Sequence, residues 1–161
     1  MADRDLKRLV TQRLGAQKTG ARIAARDTHE IISDASHPRL KQALEQGRQT
    51  SKTWADRIDQ ALEEVAGDGD AGADDNPIIE AHAEVARRIR ADAKDDTSRN
   101  LGVVAGGRLA LHYWIAAFGT MHAYGEQLGL STMARDMGEM VQEAKRADEE
   151  HTRIAKAILA G

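Results

Sequence analysis

The stretch Gly67-Asp-Gly-Asp-Ala-Gly-Ala-Asp-Asp-Asn76-Pro77 decides the architecture, because it interrupts a chain of long helical patterns and sets how they are joined. Its glycines and aspartates favour turns over helix, so residues 67–76 are expected to form a flexible surface loop. The run superficially resembles a calcium loop. One starting at Asp68 would need an oxygen donor at its fifth position, Gly at its sixth and Glu at its twelfth, where the chain supplies Gly72, Ala73 and Ile79. Calcium binding is therefore not expected. Asn76 and Pro77 are a suitable N-cap and first-turn pair, opening a short helix over 77–94 whose polar, acidic face suits a peripheral position.

Upstream, Leu6, Leu9/Val10, Leu14, Ile23/Ala24 and Ile31/Ile32 recur at three-four spacing, which predicts one long helix over 3–33, weakened at Gly15 and Gly20. Asp34-Ala-Ser-His-Pro38 breaks it. From Leu40 a heptad seam runs through Leu44, Gly47, Ser51, Trp54, Ile58, Ala61/Leu62 and Val65, predicting a second helix that packs antiparallel to the first. Downstream, residues 109–125 lack charged side chains and are apolar nearly all round. Their length touches the lower limit for a membrane span, but His112, Tyr113, Thr120, His122 and two glycines favour the central helix of a soluble bundle over about 96–128. Gly102 and Gly106 would admit a close neighbour. After Gly129 as a stop and Ser131 as a cap, Met133, Met137, Met140, Ala144, Ala147, His151, Ile154 and Ile158 form the seam of a last long helix. Four long helices with a 30-residue crossover, residues 67–96, between the second and third make an all-α, ferritin-like arrangement, since simple up-down bundles have short loops throughout.

Composition agrees. The 161 residues are 41% apolar and 30% charged but only 3% aromatic, which suits one soluble helical domain over 1–161 and argues against a membrane protein. With no Cys, thiolate metal sites, disulfides and cysteine nucleophiles are excluded, so any metal must sit on His, Asp or Glu. The net charge of -3 implies no polyanionic partner for the whole molecule. Six basic residues (Lys7, Arg8, Arg13, Lys18, Arg22, Arg26) and no acid occupy 6–26, but the apolar positions there are spaced as a packed helix, not as a secretory signal. A cytoplasmic location is expected. None of the five Ser lies in a nucleophile motif, and Gly102-Val-Val-Ala-Gly-Gly107 follows no strand, so it is no phosphate loop. His29 and His82 are expected at the surface, and the Met residues as core filler.

Three segments carry a family resemblance: Pro38-Arg-Leu-Lys-Gln-Ala-Leu-Glu45, His112-Tyr-Trp-Ile-Ala-Ala-Phe-Gly-Thr120 with Glu126-Gln-Leu-Gly129, and Glu143-Ala-Lys-Arg-Ala-Asp148. They resemble the YciE/YciF group of bacterial ferritin-like proteins, a domain of unknown function. The resemblance implies a ferritin-like four-helix bundle whose inward carboxylates and His would hold two metals. It places the polar positions at Ala21, Gly47, Thr50, Trp54, Leu111, Trp114, Glu143, Ala144 and Asp148, where only Glu143 and Asp148 carry carboxylates.

The resemblance therefore implies a degenerate centre, and no cofactor is expected. Trp54 and Trp114 would fill the former site and meet in the core. Asp148-Glu-Glu-His151 keeps an acid-x-x-His spacing, so iron or manganese on His112, Glu143, Asp148 and His151 is the alternative. Glu143 and Asp148 lie beside the seam, where half-buried pairing with Arg or Lys of a neighbouring helix is the plainer expectation. The leading function is a non-enzymatic, stress-associated structural or partner-binding protein, the stress association being implied by the resemblance alone. An iron or manganese protein or oxidoreductase of the same fold is the alternative. Nucleic-acid association through the basic N-terminal helix is a third and weaker reading. A homodimer and an unidentified protein partner are expected, with no membrane partner.

Overall fold

A computed structural model describes residues 2–66 and 75–161. Among these residues the chain forms five helices and no strand: α1 (Ala2–Asp34), α2 (Pro38–Ala66), α3 (Pro77–Asp92), α4 (Asp96–Leu128) and α5 (Ser131–Leu159). The fold is a ferritin-like four-helix bundle with a fifth, short helix in the long connection. Most of the stretch expected to be a flexible loop, residues 67–74, lies outside the described residues. Of its two described residues, both outside any helix, Asp75 is exposed and Asn76 is buried.

Helix ends fix the topology. The α1–α2 turn is held by Asn100 at the start of α4, whose Oδ1 accepts from Ser36 N at 3.0 Å and whose Nδ2 donates to Ser36 Oγ at 2.8 Å. The other end of α2 reaches the start of α5, where the Glu64 carboxylate accepts from Met133 N at 2.7 Å. The four long helices therefore run up, down, down and up. Neighbouring pairs are α1 with α2, α2 with α5, α5 with α4, and α4 with α1, which leaves α2 and α4 diagonal across the core.

Ser131 is not the cap expected of it. Leu130 holds the cap position without a side-chain bond, and Glu64 from another helix serves instead. A carboxylate there satisfies amides that lack intrahelical partners and opposes the positive end of the helix dipole. Gly129 does stop α4, in the left-handed conformation (φ 68°) that glycine adopts without steric cost.

The crossover helix is pinned at its first turn. Asn76 Oδ1 accepts from Ile79 N at 3.1 Å, while its Nδ2 donates to Ala16 O and Tyr113 Oη, each at 2.9 Å. One buried amide thus ties the connection to α1 and α4 together. Gly20 makes this possible, since a Cβ there would lie 3.1 Å from Asn76 Cγ and 3.1 Å from Trp114 Cη2. Gly102 likewise admits Ile89 of α3.

Helix α4 is long and apolar enough to cross a membrane by length and composition, and in the structure it packs on α1, α3 and α5. It is not a central helix with every face covered, as its composition predicts. A four-helix bundle has no helix at its centre, so Leu109, Ala116 and Ala123 stand exposed.

Candidate functional site

The diagonal placement of α2 and α4 brings Trp54 and Trp114 into the bundle centre from opposite corners. Both are buried, with ring centroids 5.8 Å apart and planes inclined by 59°. Phe118, one turn beyond Trp114, lies 5.0 Å from Trp54 edge-on and stacks on Trp114 at 5.1 Å. Tyr113 meets Trp114 edge-to-face at 4.9 Å. Four of the chain's five aromatic residues thus form one cluster. Offset and edge-on aromatic pairs of this kind contribute about 1 kcal/mol each beyond the area they bury. Ala21 and Ala144 belong to the same buried cluster, and their small side chains leave volume for the indoles.

The aromatic centre has one polar contact to a carboxylate. The Trp54 indole N–H donates to Glu143 Oε2 at 2.7 Å, and Arg57 Nη1 donates to Glu143 Oε1 at 2.9 Å. Each oxygen of Glu143 is therefore engaged by a donor from α2. Arg57 stands three residues after Trp54, so both reach the same stripe of α5.

Asp148 and His112 make a separate group on the α4–α5 seam. Arg108 grips Asp148 with Nε at 2.7 Å from Oδ1 and Nη2 at 3.2 Å from Oδ2. His112 Nε2, on a largely exposed ring, lies 3.4 Å from Oδ2. The Arg108 hydrogen bonds hold the Asp148 carboxyl below the usual carboxylate range, against the opposing effect of partial burial.

His151 is buried, and Ala147 O lies 2.8 Å from its Nδ1. That bond places the proton of the neutral ring on Nδ1. Nε2 lies over Gly107, where an added Cβ would approach it to 2.9 Å. Burial pushes the pKa of His151 down, so the neutral ring is favoured.

The four candidate metal residues are thus divided. Glu143 serves the aromatic centre, Asp148 is held by Arg108 and lies beside His112, and His151 bonds its own helix. Among the described residues no three His, Asp or Glu side chains converge where they could hold a metal ion. Arg57 and Arg108 already occupy the carboxylates a cation would need. As arranged, the residues do not fit a metal centre.

His82 is not the surface residue the sequence suggests. It is half-buried between α3 and α4, with Nε2 2.8 Å from Gly106 O. His29 is exposed, as expected.

A family model described as "Domain of unknown function (DUF892)" matches residues 23–160. The chain belongs to this family. Two solved structures resemble the DUF892 chain. The E. coli stress protein YciF aligns with a TM-score of 0.91 at 21% identity, over 96% of this chain and 97% of that one. YcfI, a putative structural protein from Rhodopseudomonas palustris, aligns with a TM-score of 0.85 at 21% identity, over 91% and 92% respectively. At this identity the likeness establishes the fold. No curated protein matches the sequence.

Proposed function

We propose that this DUF892 chain is a non-enzymatic, stress-associated structural or partner-binding protein whose bundle centre is packed with indoles and works without metal. The observation that carries the reading is the contact of Trp54 and Trp114 at 5.8 Å, with the Trp54 N–H bonded to Glu143. At the positions where the family resemblance puts polar ligands, the chain places two indoles and a carboxylate already bonded to one of them. Filling a vacated cavity this way avoids both a void and unpaired buried charge.

The two structural neighbours, a stress protein and a putative structural protein, support the general class. A cytoplasmic homodimer with an unidentified protein partner completes the reading. Metal binding on His112, Glu143, Asp148 and His151 is disfavoured by the guanidinium partners of both carboxylates. Nucleic-acid binding through α1 is weakened by its own ion pairs, since Lys18 and Arg22 pair with Asp59, and Arg26 with Asp27. Metal analysis of the purified chain, grown with iron and manganese, tests the proposal.

A further inference from the structure

A cavity of about 90 Å³ lies beneath the crossover helix, walled chiefly by α1, α3 and α4. It exists because the facing surfaces are built from small residues, Ala83 and Ala86 on α3 against Gly102 and Gly106 on α4. Asp27 and His82 supply its unsatisfied polar chemistry. Asp27 is buried at 8% exposure, and only its Oδ1 is bonded, by Arg26 Nε at 2.9 Å. Its Oδ2 is buried without a hydrogen-bond partner. His82 donates Nε2–H to Gly106 O, which leaves Nδ1 of the neutral ring as an acceptor.

The other polar wall residues are already engaged or face solvent. Thr28 donates its hydroxyl to Ala24 O, Arg87 pairs with Glu84 and Arg90 with Asp34, and Glu30 is exposed. The cavity therefore offers two free acceptors, Asp27 Oδ2 and His82 Nδ1, within largely apolar walls. A buried carboxylate oxygen without a donor is costly, and an occupant bearing N–H groups removes that cost. We propose that this cavity binds a small primary ammonium group carrying a short apolar tail. An anion would find at Asp27 Oδ2 and His82 Nδ1 only acceptors and no donor. A divalent cation would find one carboxylate and, among the described residues, no cluster of three ligands. A dry cavity of about 150 Å³ accommodates benzene, so this smaller one suits roughly three or four heavy atoms.

The test is a titration of the full chain with ethylammonium chloride at constant ionic strength, followed through backbone amide NMR shifts, with sodium chloride and propanol as controls. Saturable shifts at Ala83, Ala86 and Gly106 are expected, with a dissociation constant roughly in the millimolar range that so few atoms allow. Asp27→Asn should weaken binding about tenfold or more, the effect of losing a charge-assisted bond. Gly106→Ala provides a second test that does not alter the carboxylate. Its Cβ would lie 3.8 Å from Ala86 Cβ, an ordinary contact, so the fold is retained while the cavity is reduced and binding is lost. Absence of saturable shifts would overturn the proposal. So would equal binding of propanol, or undiminished binding by both variants.

Discussion

Trp54 and Glu143 face each other across the α2–α5 interface, the indole N–H lying 2.7 Å from Oε2. A buried indole normally requires such an acceptor, and here the acceptor is a carboxylate that Arg57 also neutralises. The contact therefore stabilises a large side chain and removes a carboxylate from any competing cation.

Truncating that indole should be among the most damaging single changes. Trp54→Ala is expected to destabilise the fold by about 3–5 kcal/mol, the range for emptying an aromatic core position. Trp54→Phe should cost less, because the ring is kept while the bond to Glu143 is lost. Urea denaturation followed by circular dichroism measures both. Equal stability of Trp54→Ala and the native chain would mean that the aromatic cluster contributes little.

Two glycines at helix interiors should respond in opposite directions to the same substitution. Gly47 has nothing within 4 Å of an added Cβ, so Gly47→Ala should stabilise by about 0.5–1 kcal/mol through helix propensity. Gly20→Ala gains the same propensity but drives the methyl against Asn76 and Trp114, and a net loss of about 1–3 kcal/mol is expected. Denaturation midpoints of the two variants decide the comparison.

Buried His151 should make stability depend on pH. Its folded pKa lies below the unfolded value of 6.5, so the unfolded chain binds the proton more readily. The stability it contributes is present above pH 6.5 and is lost as pH falls from there through the depressed folded pKa. Asp148 acts lower still: its folded pKa lies below 3.8, and its contribution fades only as pH drops beneath that value. Melting temperatures at pH 7.5 and 5.5 should differ less in His151→Leu than in the native chain. An unchanged difference would place the dependence elsewhere.

The heptad seam of α2 was legible because a helix packed on one side repeats its burial. Leu40, Leu44, Trp54, Ile58, Ala61 and Leu62 are all buried as the spacing predicts. In α4 the same reasoning had no contrast to use, since nearly every position in 109–125 is apolar and the exposed Leu109 looks like the buried Phe118. The centre was legible in part. The pairing of Trp54 with Trp114 follows from ligand positions implied by the family resemblance, whereas Phe118 and Arg57 follow only from helical neighbourhood. Asn100, Glu64 and His82 escaped because their partners are distant in sequence, so no local pattern records them. Asn76 was legible as a cap, but its two outward bonds depend on where α1 and α4 lie.

The most direct test of the central claim is metal content by plasma mass spectrometry, on untagged protein expressed with iron and manganese and compared with His151→Ala. Less than about a tenth of an equivalent of metal per chain is expected in both, since bound metal requires deprotonated ligands that converge. Near-stoichiometric iron or manganese in the native chain, lost in His151→Ala, would contradict an indole-filled, metal-free centre.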